Sequence, residues 1–144
     1  MKVQWPSQAA GVGEWVAALI GAVNCVLVSA IFAQSQGDLF PFPGLYFVQL
    51  ALVGVLVLAF VVARSRPKTR WPALPWVAAG IMLAFVVLGG FSIGPFLIPA
   101  FLAFLVTGVL VDVQTGAALA RHIGLLIVAA VIQGALMALA ILIT

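Results

Sequence analysis

Between Trp76 and Val111 the chain reads WVAAGIMLAFVVLGGFSIGPFLIPAFLAFLVTGVLV, 36 residues without a charged side chain. As one helix they would run about 54 Å, far beyond the roughly 30 Å hydrocarbon core of a bilayer. The middle of the stretch offers the way out. Gly89, Gly90, Gly94 and Pro95 break helical continuity, glycine through its backbone entropy and proline through its missing amide hydrogen. The stretch therefore predicts two apolar helices, about 76–91 and 96–111, joined by a tight turn.

Three further stretches of the same character, about 15–33, 44–63 and 123–143, contain no Asp, Glu, Lys or Arg. A helix of about 20 apolar residues spans a bilayer and bonds every backbone amide within itself. The expectation is an all-α integral membrane protein, a compact bundle of five transmembrane helices forming one domain over residues 1–144. Because 96–111 is short for a span, the alternative is four spans plus a re-entrant segment there. Composition points the same way: 66% hydrophobic, 6% charged, mean hydropathy +1.35. That leaves too little polar surface to clothe a soluble globule, and the loops are too short for a second core. The first stretch exceeds the roughly 7–15 residues of a secretory apolar region and reads as a retained helix.

Four of the six basic residues, Arg64, Arg66, Lys68 and Arg70, stand in one acid-free connector. Such loops stay cytoplasmic. Lys2, two crossings before that connector, falls on the same side, and Arg121 joins them only if 76–111 crosses twice, which puts the N-terminus in the cytoplasm and the C-terminus outside. Trp15, Trp71 and Trp76 would then mark the inner boundary, and Phe40, Phe42, Tyr46 and Phe47 the outer. The net charge of +3 and pI near 9.8 follow from this topology rather than from a nucleic-acid partner.

Within lipid, helices associate through small residues and a few polar side chains. Ala17, Gly21, Cys25, Ser29 and Ala33 recur every fourth position on the first helix, and Ala130, Gly134 and Ala138 on the fifth; both read as packing faces. Asn24, Gln49 and Gln133 are the amides inside apolar stretches. Unpaired in hydrocarbon, each would cost roughly 2–7 kcal/mol. Counted from the ends of their segments, Asn24 and Gln133 fall at similar depth, and the expectation is that they meet between the first and fifth helices.

Catalytic groups are missing from the pattern. Glu14, Asp38 and Asp112 fall at predicted surfaces, so they form no carboxylate pair. Gly89-Gly90 lacks the following Lys-Ser or Lys-Thr of a phosphate loop, which argues against nucleotide. Cys25 is the single cysteine and supplies neither a disulfide nor a metal set. The sequence predicts no catalysis, no metal and no cofactor. His122, the one histidine, is the only candidate ligand: for a single pigment magnesium, or for a haem with Met82 or Met137 as second ligand.

The turn Phe91-Ser-Ile-Gly-Pro-Phe96 resembles a pattern found in small bacterial membrane proteins of unassigned function. The resemblance covers that hairpin alone and implies a bacterial cytoplasmic membrane, without implying an activity. The function expected is a non-catalytic accessory subunit of a larger membrane complex, respiratory and photosynthetic complexes being the classes in view, with lipid and other membrane subunits as partners. The alternative is a small oligomeric transporter or channel, in which Asn24, Gln49 or Gln133 would line a water-filled path.

Overall fold

The computed structural model describes residues 7–35, 44–64, 71–90 and 92–143. They form five helices, α1 (Ser7–Ser35), α2 (Gly44–Arg64), α3 (Leu74–Leu88), α4 (Gly94–Thr115) and α5 (Leu119–Ile143). No strand occurs among the described residues. Four helices, α1 from Gly11 onward, α2, α4 and α5, are long and apolar enough to cross a membrane.

The short helix is α3, not the fourth. Residues 96–111 were expected to make a short segment, but α4 runs 22 residues, starting at Gly94 and continuing past Val111 to Thr115. It stops where Gly116 takes a left-handed conformation (φ 66°) and its N–H bonds the Asp112 carbonyl at 2.8 Å. At the other end α3 yields at Leu88 rather than Phe91, and its 15 residues give about 22 Å. The α3–α4 turn is closed by the Gly94 N–H donating to the Gly89 carbonyl at 2.7 Å. A side chain at Gly94 would strike the backbone of Val86 and Gly89, so this turn needs glycine there. Pro75 and Pro95 sit in the first turns of α3 and α4, where a missing amide hydrogen costs nothing.

Helices α1 to α4 close a ring: α4 packs on α1 and α3, α1 on α2, and α2 lies more lightly on α3. Outside the ring, α5 packs on α3. The core runs through Cys25, Leu50, Val57, Met82, Phe85 and Phe104, each fully enclosed. The crossings are close because glycine stands at them. A Cβ on Gly54 would lie 2.9 Å from the Cys25 Cβ, and one on Gly108 would lie 2.9 Å from the Trp76 indole. At the α3–α5 crossing a Cβ on Gly80 would run into the Leu126 carbonyl. Close backbone approach of this kind is how apolar helices gain contact without a solvent driving them together.

On α1, Ala17, Gly21, Cys25 and Ser29 are buried and Ala33 half-buried. Gly21 faces the Phe104 ring of α4, and Cys25 faces α2. The fifth helix differs from expectation. It meets Gly80 of α3 through Leu126 and Ala129, a face rotated from the expected seam. Ala130 and Gly134 are half-buried, Ala138 is exposed, and a Cβ on Gly134 would meet nothing within 4 Å.

Candidate functional site

Successive helices reverse direction, so the starts of α1, α3 and α5 gather with the ends of α2 and α4. Polar side chains from four helices meet at that end. Glu14 accepts from Arg64 (Nε to Oε1, 3.1 Å) and from Gln114 (Nε2 to Oε2, 3.1 Å). Arg64 in turn donates from Nη2 to Gln114 Oε1 at 3.0 Å. The three close a ring joining α1, α2 and α4. Glu14 was expected at a surface, yet it is only 4% exposed. The reason is that α1 begins at Ser7, which carries Glu14 inside the bundle rather than at its rim.

Asp112 departs from expectation for the same reason. Because α4 extends to Thr115, Asp112 is held within it, 5% exposed, with Oδ1 2.7 Å from His122 Nδ1. With the carboxylate ionised, the imidazole N–H is the donor, which fixes the His122 tautomer. Trp76, expected as a boundary anchor, is instead buried on Gly108 with its ring centroid 6.3 Å from that of His122. Trp71 and Trp15 are exposed. Asp112 Oδ2 and Trp76 Nε1 are buried with no partner among the described residues. Beside this group a cavity of about 310 Å³ is lined by Trp71, Arg121 and His122.

A carboxylate on Nδ1 is how proteins orient a metal-binding histidine, and it equally serves to neutralise a buried acid. Neither methionine completes a haem pair with His122. Met137 is 15 residues farther along the same helix, about 22 Å away. Met82 turns into the core, where the Cys25 thiol lies 3.8 Å from its sulfur. Among the described residues no three His, Cys, Asp or Glu side chains group to hold a metal ion.

Toward the opposite end, Gln49 of α2 and Gln133 of α5 exchange hydrogen bonds of 2.8 and 3.2 Å. The expected Asn24–Gln133 contact is therefore not formed; Asn24 Oδ1 is buried with no partner among the described residues. Next to the glutamine pair lies a cavity of about 440 Å³ between α2 and α5, lined also by Phe32, Tyr46, Ser92 and Met137. The Tyr46 hydroxyl oxygen is buried in its wall without a partner among the described residues. Arg66, Lys68 and Arg70 lie outside the described residues.

Comparison with protein-family models, with curated proteins and with solved structures found no match. The residues that sequence reasoning did not bring together are Glu14 with Arg64, 50 positions apart, and Gln49 with Gln133, 84 apart. No local spacing announces such pairs. Asp112 and His122, ten apart across the Gly116 turn, carried a readable signal: a short connector between two helices places residues near its two ends side by side.

Proposed function

We propose that this chain is an integral membrane protein whose five helices all cross the bilayer, and that it serves as a non-catalytic accessory subunit of a larger membrane complex in a bacterial cytoplasmic membrane. The Glu14–Arg64 end lies in the cytoplasm and the end of α5 outside, as the grouping of Arg64 to Arg70 and Arg121 requires. With 15 residues, α3 is short for a crossing, and its place among α2, α4 and α5 allows local thinning of the bilayer to meet it.

The observation that carries the subunit reading is the state of α5. Of its 25 residues only His122, Leu126 and Gln133 are buried. Ile127, Val131 and Leu139 are more than half exposed, and Gly134 faces open space beside Ala130 and Ala138. A helical glycine costs about 1 kcal/mol relative to alanine, and in a membrane helix that cost is offset by close approach of another helix. The buried ionisable side chains support a non-catalytic role, since Glu14 and Arg64 neutralise each other and Asp112 is engaged by His122.

Mild-detergent purification from the native membrane tests the reading. Stoichiometric partner chains, lost on Gly134→Ile but kept on Val16→Ala at an exposed α1 position, are the expected result. A homo-oligomer that conducts solute in liposomes would replace the subunit reading with the transporter one. Orientation is checked in a Cys25→Ala background: a cysteine at Thr115 should label from the cytoplasm and one at Ile143 from outside. Labelling of both from one side rules out five crossings.

A further inference from the structure

We propose that the cavity between α2 and α5 binds a membrane-soluble amphiphile whose head group is an uncharged carbonyl compound. The inference rests on this cavity alone and stands apart from the subunit reading. Its volume of about 440 Å³ falls within the roughly 300–1,000 Å³ of small-molecule sites. It belongs to no crossing of the ring: α5 is seated on α3, and the glutamine pair bridges α2 to α5 at the cavity wall.

The lining decides the class of ligand. Apolar residues make most of the wall, Phe32, Leu45, Leu88, Met137 and Ile141 among them, a surface for an alkyl or prenyl chain. No lining residue is charged, so a phosphate or ammonium head would enter without a counter-charge, at a large desolvation cost. The polar groups present are neutral. In the reciprocal pair each amide spends one N–H and one lone pair, so each keeps a second N–H. Ser92 is exposed at the same cavity, and its hydroxyl donates to the Gly89 carbonyl at a long 3.5 Å, a bond it can exchange for a shorter one to a ligand. Amide N–H and hydroxyl donors in an apolar wall suit an acceptor, and a carbonyl is the neutral acceptor that brings no unmatched donor with it. Tyr46 stiffens the site: its ring packs edge-on against Phe85, centroids 4.5 Å apart, and against Phe47 at 5.8 Å. A wall held in this way is formed before the ligand arrives, which lowers the ordering cost of binding.

Two sources carry that chemistry, a quinone with an alkyl tail and an ester-linked glycerolipid without a charged head. Thermal unfolding of the detergent-solubilised full chain distinguishes them, using a decyl benzoquinone, a short-chain triacylglycerol and an anionic phosphatidylglycerol as probes. A ligand confined to the folded state raises Tm saturably with its concentration. The expected result is a saturable rise with one of the two neutral probes and none with the anionic lipid. Met137→Trp, which fills the cavity with an apolar ring, should abolish the rise, and Ser92→Ala should weaken apparent affinity about tenfold, one hydrogen bond's worth. The quinone acting alone identifies a quinone site, and the triacylglycerol acting alone a lipid site. The proposal is overturned by no rise with either neutral probe, by an equal rise with phosphatidylglycerol, or by a rise unchanged in a folded Met137→Trp protein.

Discussion

Gln49 and Gln133 hold each other by two hydrogen bonds, 2.8 and 3.2 Å, and so tie α5 to a helix it otherwise scarcely touches. Each amide gives the other one donor and one acceptor in surroundings where an unpaired one would be costly. Interhelical bonds of this sort couple by about 0.6 kcal/mol on average and about 1.7 at most. Gln49→Leu and Gln133→Leu should therefore show non-additive losses of stability in a double-mutant cycle. Asn24→Leu and Gln133→Leu should add to within about 0.5 kcal/mol, as separated sites do. Unfolding in mixed detergent micelles reads both cycles, and coupling in the second with none in the first would refute the pairing.

Glycine at the α3–α5 crossing gives a second test. A methyl on Gly80 meets the Leu126 carbonyl and lies 2.9 Å from the Ala129 Cβ, and neither backbone can retreat without moving α5. Gly80→Ala should cost about 1–3 kcal/mol, as overpacking does. Gly134→Ala, with nothing within 4 Å, should be neutral or gain a few tenths of a kcal/mol from helix propensity in the isolated chain. Equal losses at the two positions would mean that α5 is rotated from the orientation that seats Leu126 and Ala129 on Gly80.

These two cases show how far the sequence could be read. Apolar length and helix breakers located five helices, with ends within four residues except at α1, which starts eight residues before Trp15, because both signals are properties of a continuous segment. Which helices are neighbours is not such a property. The stripe at Ala17, Gly21, Cys25 and Ser29 was legible as four-residue spacing, but nothing in that spacing says that α2 and α4 flank it. For α5 the eye is drawn to Ala130 and Gly134, while Ala129, one residue away and therefore about 100° round the helix, makes the contact. Depth did not separate Asn24 from Gln133: counted from Ser7, Asn24 is seventeen residues along α1, about 26 Å, and counted from Leu119, Gln133 is fourteen along α5, about 21 Å. What keeps them apart is sideways placement, since α5 is seated on α3 rather than on α1. Helix extension buried Glu14 and Asp112, since charge suggested a boundary where the chain had already become helical.

Across the 2.7 Å contact of Asp112 with His122, the donor and acceptor roles follow the imidazole tautomer. The chain has one histidine, so its ring nitrogen resonances in a labelled sample need no assignment. The neutral ring should hold its proton on Nδ1, facing the carboxylate. Asp112→Leu removes that acceptor and should return the ring toward the Nε2–H form common in water. A wild-type spectrum dominated by Nε2–H would mean that the short contact is not this hydrogen bond.

Glu14 and Arg64 should respond unequally to substitution, because their surroundings are unequal. The Glu14 side chain is 5% exposed and the Arg64 side chain 18%. Removing Arg64 leaves a carboxylate buried with Gln114 as its remaining partner, and stranding one member of a buried ion pair costs about 3–5 kcal/mol. Glu14→Gln strands much less, since the guanidinium keeps its bond to Gln114 and its aliphatic stem lets the charge reach water; about 1–2 kcal/mol is expected. The double variant, Glu14→Gln with Arg64→Ala, should recover part of the loss of Arg64→Ala alone, because the uncompensated charge is gone. Chemical unfolding of the three variants near neutral pH measures this order. If Arg64→Ala proves no worse than Glu14→Gln, the carboxylate is hydrated in solution, and the ring joining α1, α2 and α4 is a surface contact rather than an internal tie.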